Sequence, residues 1–303
     1  MGKRKKRIPP KTIFIACEGK NTEPIYFERI KEEIEDDNCF AITVYPDRNN
    51  DKHKSDPMGL INEAQNRIND FDEVWAVYDK DGYTKHKEAI EKANEIINGK
   101  IVNIAFSSIS FEHWVLLHFE KNSKTYIKSE NIVNEKFISN DNYFPEYSKK
   151  SNFDIYPYIR KLMSNAIENA SWLRYIKKDE LNNDEKYNVN PFTDIDILIK
   201  KLFNISVNIR FYTIGELLNF DGIIIQTSIK GGNICYDISN NLERAIVLNE
   251  INFSIIEDGN SRKLNQTNKV IEPNSVYSIS FSEDTALQFV VEFQNVKAIS
   301  VVE

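Results

Sequence analysis

One feature near the amino terminus constrains the fold more than any other: an alternation of two patterns. Four short apolar runs, TIFIAC (12–17), FAITVYP (40–46), VWAVY (74–78) and KIVNIAFSS (100–108), are separated by stretches with helical spacing. Runs of this length read as strands, and a near-continuous one such as Val74–Tyr78 reads as a strand buried on both faces. The first intervening helix starts at Thr22-Glu23-Pro24, with Thr22 as N-cap and Pro24 in the first turn. Its apolar stripe holds Ile25, Tyr26, Ile30 and Ile34. PMGLINEAQNRI (57–68) and KHKEAIEKANEII (85–97) read as further helices, and SFEHWVLLHFEK (110–121) is apolar nearly all round, so it is expected to be buried. Alternation of this kind predicts an α/β layer on a parallel sheet.

Beyond it, residues 122–203 read as a mainly helical extension. A polar stretch runs to about residue 150, followed by DIYPYIRKLMSNAIENASWLRYI and then NPFTDIDILIKKLF, with Thr193 placed to cap the last helix. From 204 the texture changes. VNIRFYTI, GIIIQTSI, NICYDI, AIVLNEINFSII, VYSISFS, LQFVVEF and AISVV are short apolar or alternating runs punctuated by Gly, Asn and Asp. They predict an all-β sandwich or jelly roll over 204–303. The expected organisation is a basic tail (1–11), an α/β domain with its helical extension (12–203) and a β-domain (204–303).

Composition narrows the function classes. With 303 residues and 41% hydrophobic content, the chain can fill two cores. A net charge of -7 argues against a generally basic nucleic-acid-binding surface. The tip MGKRKKR can contact phosphates or a partner, or serve as a solubilising tail. IFIAC is too short for a signal-peptide core, and no run is long enough to span a bilayer. The sixth residue is not the Ser/Thr of a myristoylation signal. Cys17, Cys39 and Cys235 are far apart and form no CxxC, which fits a reducing cytoplasm with Cys17 as a core residue.

Ligands of parallel sheets bind beyond the carboxyl ends of the strands, and acids stand at those ends here. Glu18 follows the first strand, Asp79 and Asp81 the third, and Glu112 opens the helix after the fourth; Glu23 lies in the helix start after Glu18. Carboxylates at the mouth of a buried strand need a partner, either a basic residue or a metal ion. If extended geometry continues through Lys80, the carboxylates of Asp79 and Asp81 point to one side, and Glu18 from the neighbouring loop completes an open site for Mg²⁺. Glu112 could support a second ion. DKDG alone is ordinary turn chemistry; weight comes from the ordered combination.

Four segments together, CEGKNTEPIYFERI, VWAVYDKDG, IAFSSISFEHWVLLHF and NPFTDIDILIKKL, resemble the RloB family over roughly residues 10–203. That family is similar to Toprim-fold proteins and is associated with anti-phage or restriction-linked loci. The resemblance implies a Toprim-like parallel sheet with flanking helices. It also implies Mg²⁺- or Mn²⁺-dependent phosphodiester chemistry in which Glu18, Asp79 and Asp81 match the strand-end Glu and the DxD pair. Glu23 and Glu112 belong to the RloB-like motifs, with less defined roles in catalysis. The expected activity is nuclease action on RNA, tRNA included, or on DNA, with a partner ATPase, no membrane association and room for a homo-oligomer. The rival expectation is a non-catalytic adaptor or sensor whose β-domain binds a partner ATPase or a phage protein. A nucleotidyl transferase is a poorer fit because the Gly-Ser donor-site signature is missing.

Other residues carry blander readings. His113 and His118 are five apart, not four, so they do not make a zinc-protease HExxH; core or supporting roles are expected, with His113 a candidate to orient a metal-bound water. Gly19 belongs to no nucleotide-binding loop and is expected to serve backbone conformation. Lys149 and Lys150 read as a solvated basic turn before a phosphate contact, and Lys80 is expected to point away from the aspartates. Trp75 and Trp114 fit core packing.

Overall fold

The computed structural model describes residues 9–34, 40–47, 54, 56–139, 143–148, 152–257, 260–264, 268–283 and 287–301. The basic amino terminus, Cys39, most of the 47–56 loop, and Lys149 and Lys150 lie outside the described residues. The chain divides into two compact units, 1–205 and 206–303.

The first unit is mixed α/β. Its strands are β1 (Lys11–Cys17), β2 (Phe40–Tyr45), β3 (Glu73–Asp79), β4 (Val102–Ser108) and β5 (Phe192–Thr193). Its α-helices are α1 (Thr22–Ile34), α2 (Pro57–Asn66), α3 (His86–Ala93), α4 (Phe111–Leu116), α5 (Ser129–Ile132), α6 (Tyr156–Ile159), α7 (Met163–Ile176), α8 (Lys178–Asn183) and α9 (Ile195–Leu202). The sheet order is β2-β1-β3-β4-β5, parallel across its first four strands and antiparallel at β5. Both faces of β1 and β3 are covered, which is why their sequences are apolar without alternation. On one face Phe14, Ala16, Val74, Ala76 and Tyr78 pack with Leu60, Ile61 and Ala64 of α2 and Ala89 and Ala93 of α3. Another aromatic cluster joins α1 to α4: Tyr26 meets Phe111 edge-on at 5.3 Å, and Trp114 Nε1 donates to the Tyr26 hydroxyl at 3.2 Å. Trp75 and Trp114 are thus core side chains. Each fully buried large apolar side chain stabilises the unit by about 1.5–3 kcal/mol.

Several elements are shorter than the periodicity suggests. The third helix stops at Ala93 instead of Ile97, because Ile97 and Lys100 exchange main-chain hydrogen bonds (2.8 and 3.0 Å) around Asn98-Gly99, both at positive φ. The helix expected over 110–121 is helical only from Phe111 to Leu116. Thr22 is the first residue of α1 rather than its cap, and Ile25 N–H donates to the Asn21 carbonyl (3.0 Å). Thr193 lies in β5, leaving Asp194 at the cap position of α9, although the Thr193 hydroxyl still accepts from Ile195 N–H at 3.3 Å.

The second unit is β-rich: β6 (Asn208–Tyr212), β7 (Leu217–Phe220), β8 (Ile223–Lys230), β9 (Asn233–Asn240), β10 (Ile246–Val247), β11 (Ile251–Glu257), β12 (Asn260–Lys263), β13 (Val270–Ile271), β14 (Ser275–Phe281), β15 (Gln288–Phe293) and β16 (Val296–Ser300). One sheet runs β12-β11-β15-β16-β6, a second runs β14-β9-β8-β7, and β10 pairs with β13. Strict alternation on β9 sends Ile234, Tyr236 and Ile238 inward to meet Ile251, Phe253 and Ile255 of β11, the two-layer arrangement a sandwich requires. All neighbours within these sheets are antiparallel except β6 and β16, which pair in parallel from Asn208↔Val296 to Tyr212↔Ser300.

Candidate functional site

The sheet order places β2 on one side of β1 and β3 on the other. Connections leaving in opposite directions open a crevice at the carboxyl ends of β1 and β3, the switch point where open α/β sheets bind ligands. Glu18 follows β1 and Asp79 ends β3, so both lie on this seam. Glu18 N–H donates to the Val77 carbonyl at 3.0 Å, continuing the parallel ladder one residue past the strand. Its carboxylate Oε2 in turn accepts from the Asp79 N–H at 3.2 Å. The Glu18 side chain therefore bridges the seam, held by a charge-assisted bond. Gly19 follows at φ +67, left-handed backbone that a Cβ would disfavour, as expected for a chain turning off a strand end.

Asp79 and Asp81 part company. Extended geometry does not continue through Lys80: β3 ends at Asp79 and a turn begins, closed by Tyr83 N–H to the Lys80 carbonyl (3.0 Å), with Gly82 at φ +76. Asp79 is 8% exposed, whereas Asp81 is open to solvent on the turn. The turn's donors reach across to the β4 side, Lys80 N–H to the Ser107 carbonyl (3.0 Å) and Asp81 N–H to the Ile109 carbonyl (3.4 Å). The Asp184 carboxyl is held low mainly by Asn188 and the Glu185 N–H, and further by the Lys80 charge.

Glu112 occupies a second corner. It is 1% exposed, and its Oε1 accepts from the Tyr147 hydroxyl at 2.7 Å. That hydroxyl also lies 3.3 Å from Thr22 Oγ1 at the start of α1. Burial pushes the Tyr147 phenol far up, helped by the Glu112 charge and, more remotely, by Glu23. Glu23 also bears on Cys17, whose thiol is raised well above its ordinary value by burial first and then by Glu23 and Glu28. Cys17 is therefore a protonated core thiol, not a nucleophile. The start of α1 thus gathers Thr22, Glu23, Glu112 and Tyr147. Tyr147 was not legible as a site residue; it sits in the polar stretch EYSKK, with no period or motif to mark it.

The structure thus places the five expected acids as a seam pair (Glu18, Asp79), a corner (Glu112, with Glu23 near) and an exposed turn residue (Asp81). Among the described residues no group of three His, Cys, Asp or Glu side chains is gathered closely enough to hold a metal ion by itself. His113 and His118 are fully buried, and burial lowers both imidazoles to about 4. His118 Nδ1 faces the carbonyls of Trp114 and Val115 at 3.1 and 3.2 Å, which makes it the protonated nitrogen. Among the described residues no helix is long and apolar enough to cross a membrane.

Comparison with known proteins sets these residues in a family. No curated protein matches the chain. A solved uncharacterised β-sandwich protein from Clostridium difficile is similar at 13% identity, covering 32% of this chain and 96% of that one, with a TM-score of 0.22. The family described as RloB-like protein matches residues 13–202, a span that includes Glu18, Glu23, Asp79, Asp81 and Glu112. Since that match covers well over half of the sequence, this chain belongs to the RloB-like family.

Proposed function

We propose that the chain is a divalent-metal-dependent nuclease of Toprim type, cleaving phosphodiester bonds in RNA, tRNA included, or in DNA, as part of anti-phage defence. The observation that carries this reading is the Glu18 carboxylate bridging to the Asp79 main chain at the switch point. The donor set fits a hard, partly hydrated ion: Mg²⁺ commonly takes one or two carboxylates, with waters and substrate phosphate filling the remaining positions. Glu18 and Asp79 would hold it, and Asp81 would join from its turn. When bound, such an ion neutralises charge developing on the phosphate oxygens. Glu18 or Glu23 takes the proton of the water or supplies one to the leaving oxygen, and Glu112 orients the start of α1 through Tyr147 and Thr22. The test is a Mn²⁺ or Mg²⁺ titration with labelled RNA and DNA. Cleavage should disappear with EDTA and fall by at least about 100-fold in Asp79→Asn. Wild-type-like cleavage by a folded Asp79→Asn protein would sink the proposal.

A second reading is favoured by one observation, the lack of a three-ligand group among the described residues. On it the α/β unit is a scaffold and the β-rich unit binds a partner ATPase or a phage protein. Partner capture unchanged in Asp79→Asn and Asp81→Asn, with no metal-dependent cleavage, selects this reading.

A further inference from the structure

His86 opens α3, just beyond the turn that carries Asp81, and is 3% exposed. Its imidazole lies between two near-parallel rings, Tyr78 (centroids 6.3 Å, interplanar 12°) and Tyr187 (5.6 Å, 19°). Phe106 at 5.7 Å and Tyr83 at 5.4 Å close the sides edge-on. Inside this box neither ring nitrogen completes a strict hydrogen bond with any described residue. The main-chain carbonyls of Lys80 and Tyr83 are the hydrogen-bonding groups brought up to the ring. A polar ring buried without a partner costs about 1–3 kcal/mol, so an aromatic box alone would be better filled by phenylalanine.

The neighbouring turn supplies the complement. Its donors at Lys80, Asp81 and Tyr83 are all engaged, two of them by β4 and the segment after it. On the carbonyl side, Lys80 O accepts one bond, from Tyr83 N–H, and keeps a second lone pair. We infer that His86 is a positioning residue: its ring N–H takes the carbonyl of Lys80 or Tyr83 and so fixes the 80–83 turn that presents Asp81 to the crevice. The imidazole acts through the turn and touches no substrate. Burial keeps it below its ordinary pKa, which leaves one N–H and one lone pair at neutral pH. The consequence for metal binding rests on the proposed nuclease reading; the effect on the turn does not.

The test compares full-length wild type with His86→Phe, which keeps an aromatic ring in the box and removes both nitrogens. His86→Asn and His86→Gln each return an amide donor near the place of one ring nitrogen. His86→Phe should melt within about 3 °C of wild type. Its amides at 81–84 should exchange with solvent roughly tenfold faster, while the rest of the first unit keeps its protection. Mn²⁺ affinity, read by paramagnetic relaxation, should fall roughly fivefold. One donor variant should recover the slow exchange and thereby name the nitrogen. Unchanged exchange at 81–84 in His86→Phe overturns the inference. So does a loss spread evenly over the unit, which would make His86 a packing residue only. If the wild type binds no Mn²⁺, the nuclease reading fails while the exchange data still decide the role of His86.

Discussion

Among the aspartates of this chain spaced two apart, Asp79-Lys80-Asp81 and Asp194-Ile195-Asp196 are given opposite employment by the fold. Asp194 is tied to β4: its Oδ1 accepts from Phe106 N–H at 2.5 Å, its own N–H donates to the Phe106 carbonyl, and Lys186 closes on Oδ2 at 2.6 Å. Asp196 is fully buried and receives Arg174 in two-pronged fashion, 2.6 and 2.8 Å, with Lys200 at 3.2 Å. That pair rivets α7, α9 and the edge of the sheet. The other pair straddles the end of a strand, with Asp79 on the seam, its main-chain N–H on the Glu18 carboxylate, and Asp81 on an exposed turn. Spacing alone therefore says little about a DxD: Lys186, Arg174 and Lys200 hold the carboxylates of Asp194 and Asp196, whereas Asp81 stands on an exposed turn.

The comparison can be broken first at the rivet. Arg174→Ala takes the two-pronged partner from the fully buried Asp196 carboxylate and leaves it Lys200, and should destabilise the first unit by about 2–4 kcal/mol in urea unfolding. A loss below about 1 kcal/mol would show that Lys200 or water satisfies Asp196 without the guanidinium, and that the two pairs are less different than they look. Acid supplies an effect of comparable size. His113 and His118 are neutral in the folded chain, lowered to about 4, and return to about 6.5 on unfolding. The unfolded state binds more protons in that window, so their contribution is complete above pH 6.5 and is lost as pH falls toward 4, by about 3 kcal/mol each. Unfolding measured across this range should take up close to two protons beyond the carboxylate background; a flat profile refutes the burial of these rings.

Smaller changes sharpen the contrast. Tyr147→Phe removes the hydroxyl shared by Glu112 and Thr22 and should cost about 1–2 kcal/mol, with reduced protection at the start of α1. Asp81→Asn, on an exposed turn, should alter stability by less than about 0.5 kcal/mol yet weaken Mn²⁺ binding. Equal stability losses in Asp81→Asn and Asp196→Asn would erase the distinction between the two pairs.

How far the sequence foretold this depends on the kind of contact. β1 and β3 were legible because burial on both faces forces an apolar run, and Gly19 because a chain leaving such a strand needs left-handed backbone. The short third helix had its signal too, since Asn98-Gly99 is hairpin chemistry that overrode the helical period of 94–97. β5 was not legible: two residues carry no periodicity, and Phe192–Thr193 pair only because Asp194 is pinned to β4. Nor was the Tyr147 link to Thr22, since it joins residues 125 apart in the sequence. His86 stands between these cases. Its place after DKDGY was visible, but the box of Tyr78, Phe106 and Tyr187 is assembled from three separate segments.

The parallel pairing of β6 with β16 has a mechanical meaning. These are the first and last strands of the β-rich unit, they lie side by side, and they run the same way. Tension applied between the two ends of that unit would pull the neighbours lengthwise past each other, loading their whole hydrogen-bonded ladder at once instead of opening it rung by rung. Unfolding under force is governed by the height of that single barrier. On that geometry a stretching experiment should find the unit giving way in one abrupt step at high force rather than peeling apart.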